Sequence, residues 1–196
     1  MATLSAKGAK TKLRILQTAS ELFHRHGMHA VSPDQVIDAS RTGKGQFYHY
    51  FRSKEALIHE VLLWQLDALL NGDASQTGNV ESWDDLRGWF ASHIEIEKRF
   101  NMTRACPFGG AANEMTPAEE RLREDLQLIF DVAKSQLISF FLHEKAQGRL
   151  SIDADETSYA DFCIATIEGA LLIGKVKRDS NVAEAVVAHA LQYLER

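Results

Sequence analysis

GKGQFYHYF, Gly43 to Phe51, places four aromatic residues, a histidine and a lysine in nine positions of a 196-residue chain whose net charge is -5. Read as a helix turning by about 100° per residue, it puts Phe47, Tyr50 and Phe51 on one side and Lys44, Gly45, Tyr48 and His49 on the other. Three rings on one side can anchor a helix too short to be stable alone. The other side then carries hydrogen-bond donors, a cation and a glycine that lets a partner come close to the backbone.

Working outward, Ser32-Pro33-Asp34-Gln35 matches a capping box, in which the cap side chain and the residue three positions on satisfy each other's free N–H groups. It predicts a helix over about 33–39, followed by the turn Ser40-Arg41-Thr42-Gly43 and a helix over about 44–50. A longer helix precedes them over about 9–26, with Leu13, Leu16, Ala19, Leu22 and Phe23 as its apolar stripe and Gly27 as its stop. One longer helix and two short ones about four residues apart form the pattern of a helix-turn-helix unit, whose second short helix enters a major groove. In that setting Lys44 reaches a guanine edge or a phosphate, and Gln46 pairs with adenine or binds phosphate. Tyr48, His49 and Lys54 position the backbone. The helix N-termini at Asp34 and Gly43 add attraction for phosphate, opposed at Asp34 by its own carboxylate. A small amphipathic helix with a solvated polar face is the plainer reading of the same residues.

The remainder shows no alternating strand pattern of useful length, so the expected fold class is all-α. A fourth helix starts after Ser53 and runs to about Leu70, ending at Asn71-Gly72, and a polar, glycine-containing loop follows from Asn71 to Val80. Further helices are expected at about 83–100, 107–114, 117–147, 155–177 and 182–195. Pro107 and Pro117 sit at helix starts, and Thr116-Pro117-Ala118-Glu119 is a second capping box. There is no internal repeat.

Charge is distributed unevenly. Residues 1–55 hold nine Lys/Arg against four Asp/Glu, net +5, which leaves thirteen against twenty-three beyond, net -10. A basic head on an acidic body suggests that a polyanion is met at one end, with an uneven but solvated surface as the alternative. The length supports a sizeable core without disulfides or a structural metal. No apolar run approaches the roughly 18 residues of a membrane span, and the N-terminus lacks the apolar centre of a signal peptide. The expected compartment is the reducing cytoplasm, with no membrane partner.

GKGQFYHYFRSKEAL (43–57) resembles the recognition-helix signature of TetR-family transcriptional repressors, and ILQTASELFHRHG (15–27) resembles their first helix. The resemblance is close over about residues 10–60. It implies a homodimer whose three-helix helix-turn-helix heads bind a palindromic double-stranded DNA operator, with variable C-terminal helices that bind an inducer and dimerise. The corresponding division is 1–52 for DNA binding and 53–196 for ligand binding and dimerisation. Carried over position by position, Lys44, Gln46, Tyr48, His49 and Lys54 match positions that usually contact DNA. The turn departs from the family: Arg41 stands where glycine is usual and Thr42 where a buried apolar residue is usual, while Gly43 replaces a serine-type cap. Arg41 is strained if its φ is positive, and it can add a phosphate contact.

In the acidic body, Tyr159, Phe162, Thr166, Gly169, Ala170 and Ile173 form an apolar stripe with small residues, and Val182, Val186, His189 and Leu191 supply another. In the resembled family this helix pair meets its copy, although ordinary packing within one chain explains the pattern equally. Trp64, Trp83, Trp89, Phe90, His93, Phe108, Met115, Phe130 and Phe141 can line an inducer pocket or simply form core. In RACPFGGAANEM (104–115), Cys106 precedes Pro107 as a helix cap, a place where the helix dipole favours a thiolate. The segment resembles one in a TetR subgroup with a Cys-Pro segment before the sixth helix, some members of which sense electrophiles or oxidants, with a lysine matching Lys175. Cys163 reads as inert core. His24 and His26 point to nearly opposite sides of a helix and cannot share one ion, so neither metal nor cofactor is expected. No phosphate loop, paired zinc-cysteine spacing or nucleophile elbow occurs, so no catalytic residue is assigned. The reading is a repressor released by a small-molecule inducer or by modification of Cys106, and not an enzyme. The alternatives are an all-helical small-molecule-binding protein or enzyme without DNA recognition, and an adaptor using the aromatic helix for protein contact.

Overall fold

The computed structural model describes residues 5–71 and 80–195, which form nine helices and no strand. In chain order these are α1 (Ala6–His26), α2 (Pro33–Ser40), α3 (Lys44–Tyr50), α4 (Lys54–Asn71) and α5 (Trp83–Lys98), then α6 (Pro107–Glu114), α7 (Glu120–Ala146), α8 (Glu156–Lys177) and α9 (Ser180–Leu194). The polar loop expected from Asn71 to Val80 lies, apart from its ends, outside the described residues.

Local chemistry sets the boundaries. Ser5 accepts a hydrogen bond from Gly8 N and starts α1 earlier than expected, and Gly27, at φ 84°, ends it. At α2 both halves of the expected capping box are present, with Ser32 N donating to Gln35 Oε1 at 2.7 Å. The second box forms by half: Thr116 donates from its N–H, and also from its hydroxyl, to Glu119 Oε2, each at 2.8 Å, while Glu119 N donates to the Thr116 backbone oxygen at 3.1 Å and not to the hydroxyl. The segment closes as a turn and α7 begins at Glu120 instead of Pro117.

One compact unit comprises Met1–Ala68 and Gly110–Leu126, the other Leu69–Gly109 and Gln127–Arg196. The division expected at 52/53 separates roles, whereas these units follow packing. Leu57 and Val61 of α4 complete the first core, which Ile15, Leu16 and Ala19 of α1 build with Val31, Val36, Ile37, Phe47 and Phe51. Leu13, expected in the α1 stripe, is exposed, and Ile15 takes the inward position because it shares a face with Ala19 and Leu22. Polar ties add to this core: Lys12 Nζ lies 2.8 Å from Glu60 Oε2, and Gln65 Nε2 donates to Ser20 Oγ at 2.9 Å.

The second unit packs α5, α8, α9 and most of α7 around Phe90, Leu137, Phe140, Phe141, Cys163 and Ile167. Glu144, 1% exposed, is satisfied there by Trp83 Nε1 and Arg149 Nε, both donating at 2.7 Å. A buried carboxylate needs such partners, because an unpaired one costs several kcal/mol.

Candidate nucleic-acid interface and sensing segment

The two-sidedness expected of α3 is present. Phe47 and Phe51 are fully buried, their ring centroids 5.5 Å apart, and Tyr50 is partly buried against the same core. Lys44, Gly45, Gln46, Tyr48 and His49 are exposed. The Tyr48 ring stands edge-on to Phe47 at 5.2 Å, so burial of one ring orients the other outward.

The unusual turn is resolved in two ways. Arg41 adopts φ 51° and ψ 47°, a left-handed conformation that costs an L residue about 1–2 kcal/mol. It persists because Arg41 N donates to Asp38 O at 3.1 Å and Thr42 N to Ile37 O at 3.0 Å, which closes the end of α2. Thr42 is buried, and its hydroxyl meets Ser40 Oγ at 3.1 Å, so a local hydroxyl pair stands where an apolar contact is usual. Arg41 itself is exposed.

Two of the expected DNA-contacting cations already have partners. Lys44 Nζ lies 2.9 Å from Asp34 Oδ1, and hydrogen bonding to that carboxylate raises the lysine's pKa. Lys54 Nζ donates to His29 O at 2.7 Å. His29 is further held by Glu114, whose Oε2 accepts from His29 N at 2.9 Å and whose backbone oxygen lies 2.8 Å from Nε2. Among the described residues no group of three His, Cys, Asp or Glu side chains could hold a metal ion.

The sensing segment departs from its expected chemistry. Cys106 is free and partly buried at the start of α6, and the N–H groups of Gly109 and Phe108 face its sulfur as a helix start requires. Those contacts pull the thiol pKa down, but they lose. Burial first, then the charge of Glu168 and a hydrogen bond to it, push the thiol well above its ordinary value. The expected thiolate is therefore disfavoured at rest. Lys175, two turns further along α8, is exposed, and its charge acts on the buried Glu97. Sequence reasoning missed Glu168 and Asp34 as partners. The available signal for Glu168 was an acid among Ile164, Ile167, Ala170 and Leu171 on an otherwise apolar helix.

The expected pocket residues fall in different cores. Trp64 packs on the first, while Trp89 and Phe108 are buried in the second unit. The His93 ring lies tilted by 57° against Trp89, centroids 4.6 Å apart, with Nδ1 2.7 Å from Trp89 O, and burial lowers its pKa. Two open cavities have other linings: about 520 Å³ beside Ser135, Ser139 and His143, and about 410 Å³ beside His59, Arg121 and Asp125. The helix-pair stripe is rotated slightly from expectation. Phe162, Gly169, Leu172, Ile173 and Val176 are exposed, whereas Ala170 is buried and Tyr159 partly so, because Ala160, Cys163, Ile167 and Leu171 take the inward face. On α9, Val186, His189 and Tyr193 are exposed and Leu191 turns to the core. No described helix is long and apolar enough to cross a membrane.

Residues 15–61 match the profile of bacterial regulatory proteins of the tetR family, and residues 83–190 match that of the tetracyclin repressor-like C-terminal domain. An uncharacterized HTH-type transcriptional regulator in the lacX 3' region of Lactococcus lactis subsp. lactis is 30% identical over 183 residues, covering 89% of this chain and 88% of its own. The HTH-type transcriptional repressor DhaR of Mycobacterium sp. (strain GP1) is 26% identical over 175 residues, covering 87% and 86%. Solved structures share the fold. A TetR-family transcriptional regulator from Agrobacterium tumefaciens superposes with a TM-score of 0.82 at 20% identity, over 95% of this chain and 98% of the other. The reduced form of Escherichia coli NemR gives 0.74 at 20% identity, over 92% and 95%.

Proposed function

We propose, for a chain that belongs to the TetR family of bacterial regulatory proteins, that it represses transcription as a homodimer bound to a palindromic operator in the cytoplasm. Release would follow a small-molecule inducer or modification of Cys106. The observation that carries this reading is the division of α3: Phe47 and Phe51 fully buried, and Lys44, Gln46, Tyr48 and His49 exposed on the opposite side. In a major groove Lys44 and Gln46 address base edges or phosphates, while Tyr48, His49 and Arg41 hold the backbone. Lys54 contributes its charge from the start of α4. The second head comes from a copy joined through the exposed apolar faces of α8 and α9, whose Phe162 and Tyr193 rings lie 5.4 Å apart.

Control requires that the effector prefer a form whose heads do not fit consecutive major grooves. Cys106 suits this role by position. The eight-residue α6 begins beside it and ends at Glu114, the residue that grips the turn after α1. Trp89, His93, Phe108 and Lys175 of the second unit are the proposed surroundings for an inducer. A mobility shift with the gene's own upstream DNA tests the proposal, repeated with an oxidant, an electrophile and Cys106→Ser protein. Binding that weakens with salt and is lost on joint replacement of Lys44 and Tyr48 supports the repressor. Loss on treatment in wild type but not in Cys106→Ser supports thiol sensing, and equal loss in both removes it.

A further inference from the structure

We infer that the exposed face of α1, carrying Lys7, Lys10 and Arg14, is a second binding surface for DNA, gripping backbone phosphates beside the groove that α3 enters. The inference rests on the reading of this chain as a DNA-binding regulator and adds to it a contact that is independent of base sequence.

Lys7, Lys10 and Arg14 are spaced i, i+3 and i+7, which sets them within about 60° of one another around α1. All three are exposed, while Thr11, Ile15 and Ala19 are buried on the other side of the helix. Among the described residues, no hydrogen bond or ion pair engages any of the three side chains. Other cations of the same unit are paired, Lys12 with Glu60, Arg25 with Glu21 and Lys44 with Asp34. In a chain with 27 acidic and 22 basic residues, three cations on one face without a carboxylate partner make a positive strip suited to a polyanion.

The strip also lies at the end of the unit that α3 occupies. Lys12 Nζ is 2.8 Å from Glu60 Oε2 and 5.9 Å from the centre of the Phe51 ring, and Gln65 Nε2 donates to Ser20 Oγ at 2.9 Å. These contacts set α1 and α4 side by side, running in the same direction. Lys7 and Lys10, which precede Lys12, therefore stand level with the start of α4, where Arg52 and Lys54 follow directly on α3. From Lys7 to Arg14 the helix rises about 10 Å, a length in which one strand of B-form DNA passes about three phosphates. The number of cations matches the number of phosphates within reach. Such contacts hold the duplex without reading it, because the backbone carries no base identity.

The test is fluorescence anisotropy of the full chain on the gene's own upstream DNA and on an unrelated duplex, each over a salt series. In the triple variant Lys7→Ala, Lys10→Ala, Arg14→Ala, the dependence of log affinity on log salt should become shallower by about 2.7, at about 0.9 for each of three phosphates. Affinity should fall by the same factor on both duplexes. Arg25→Ala, which removes a paired cation from the far end of α1, should leave the slope unchanged. A second measurement needs no variant: duplex should protect Lys7 and Lys10 of the wild type from acetylation by sulfosuccinimidyl acetate, read by peptide mass mapping. Lys177, exposed in the second unit, should react equally with and without duplex. An unchanged slope in the triple variant, or Lys7 and Lys10 acetylated equally in both conditions, would overturn the surface. A triple variant that keeps the slope but sediments as a smaller species would also overturn it, assigning the strip to the acidic body of a second copy. A wild type that binds neither duplex removes the regulator reading itself, a result distinct from binding that ignores the strip.

Discussion

Lys44 Nζ lies 2.9 Å from Asp34 Oδ1, so the first cation of α3 is shared with α2 before any DNA arrives. The pair is exposed on both sides, and such pairs contribute little to stability. Its consequence lies in binding, since a phosphate must compete with Asp34 for the ammonium. Asp34→Asn is expected to tighten binding to specific and unrelated duplexes alike, with the fold unchanged. Lys44→Ala should weaken binding and make the dependence of log affinity on log salt shallower by about 0.9. Fluorescence anisotropy over a salt series measures both.

Arg41 separates stability from recognition. Arg41→Gly relieves a left-handed backbone at φ 51° and should raise unfolding free energy by about 1 kcal/mol, read from urea denaturation. The same change removes a proposed phosphate contact, so operator affinity should fall while stability rises. A parallel change in both would count against the contact.

Phe47 and its neighbour Tyr48 should behave oppositely. Phe47→Ala empties a fully buried site and is expected to cost about 3–5 kcal/mol, with loss of the first unit's cooperative melting. Tyr48→Phe removes only an outward hydroxyl. It should leave melting unchanged and weaken operator binding by about 1 kcal/mol.

Glu144 supplies a pH dependence. Its hydrogen bond to Arg149, with that of Trp83, holds its pKa below the ordinary value of 4.5. The folded pKa is lower than the unfolded one, so this stabilisation is complete above about 4.5 and disappears as pH falls through the folded value. Arg149→Ala leaves the buried Glu144 carboxylate without its cation and should lower stability at neutral pH. Because the carboxyl then gains from protonation, the deficit relative to wild type should shrink on acidification, as seen in melts across pH 3–7 (about this range).

Val176, 75% exposed on α8, tests the proposed interface. Val176→Glu should convert a dimer to monomer in analytical ultracentrifugation and abolish binding to a full palindrome while preserving helical content. An unchanged sedimentation coefficient would place the interface elsewhere.

What the sequence determined by itself was local. Ser32 with Gln35 fixed the start of α2, Gly27 the end of α1, and Pro107 the start of α6, because caps and fixed φ values act within a turn of the chain. The spacing of Phe47 and Phe51 likewise placed α3's buried side before any contact was known. Tertiary structure decided which flank of a helix turned inward, as with Ile15 buried and Leu13 exposed on opposite flanks of Leu16, because both flanks are apolar and only a packed partner chooses between them. It also reversed the expected state of Cys106. The dipole of α6 is a short-range property of Pro107 and its successors, whereas dehydration and the carboxylate of Glu168 come from a helix distant in sequence, and in a low-dielectric setting they outweigh it.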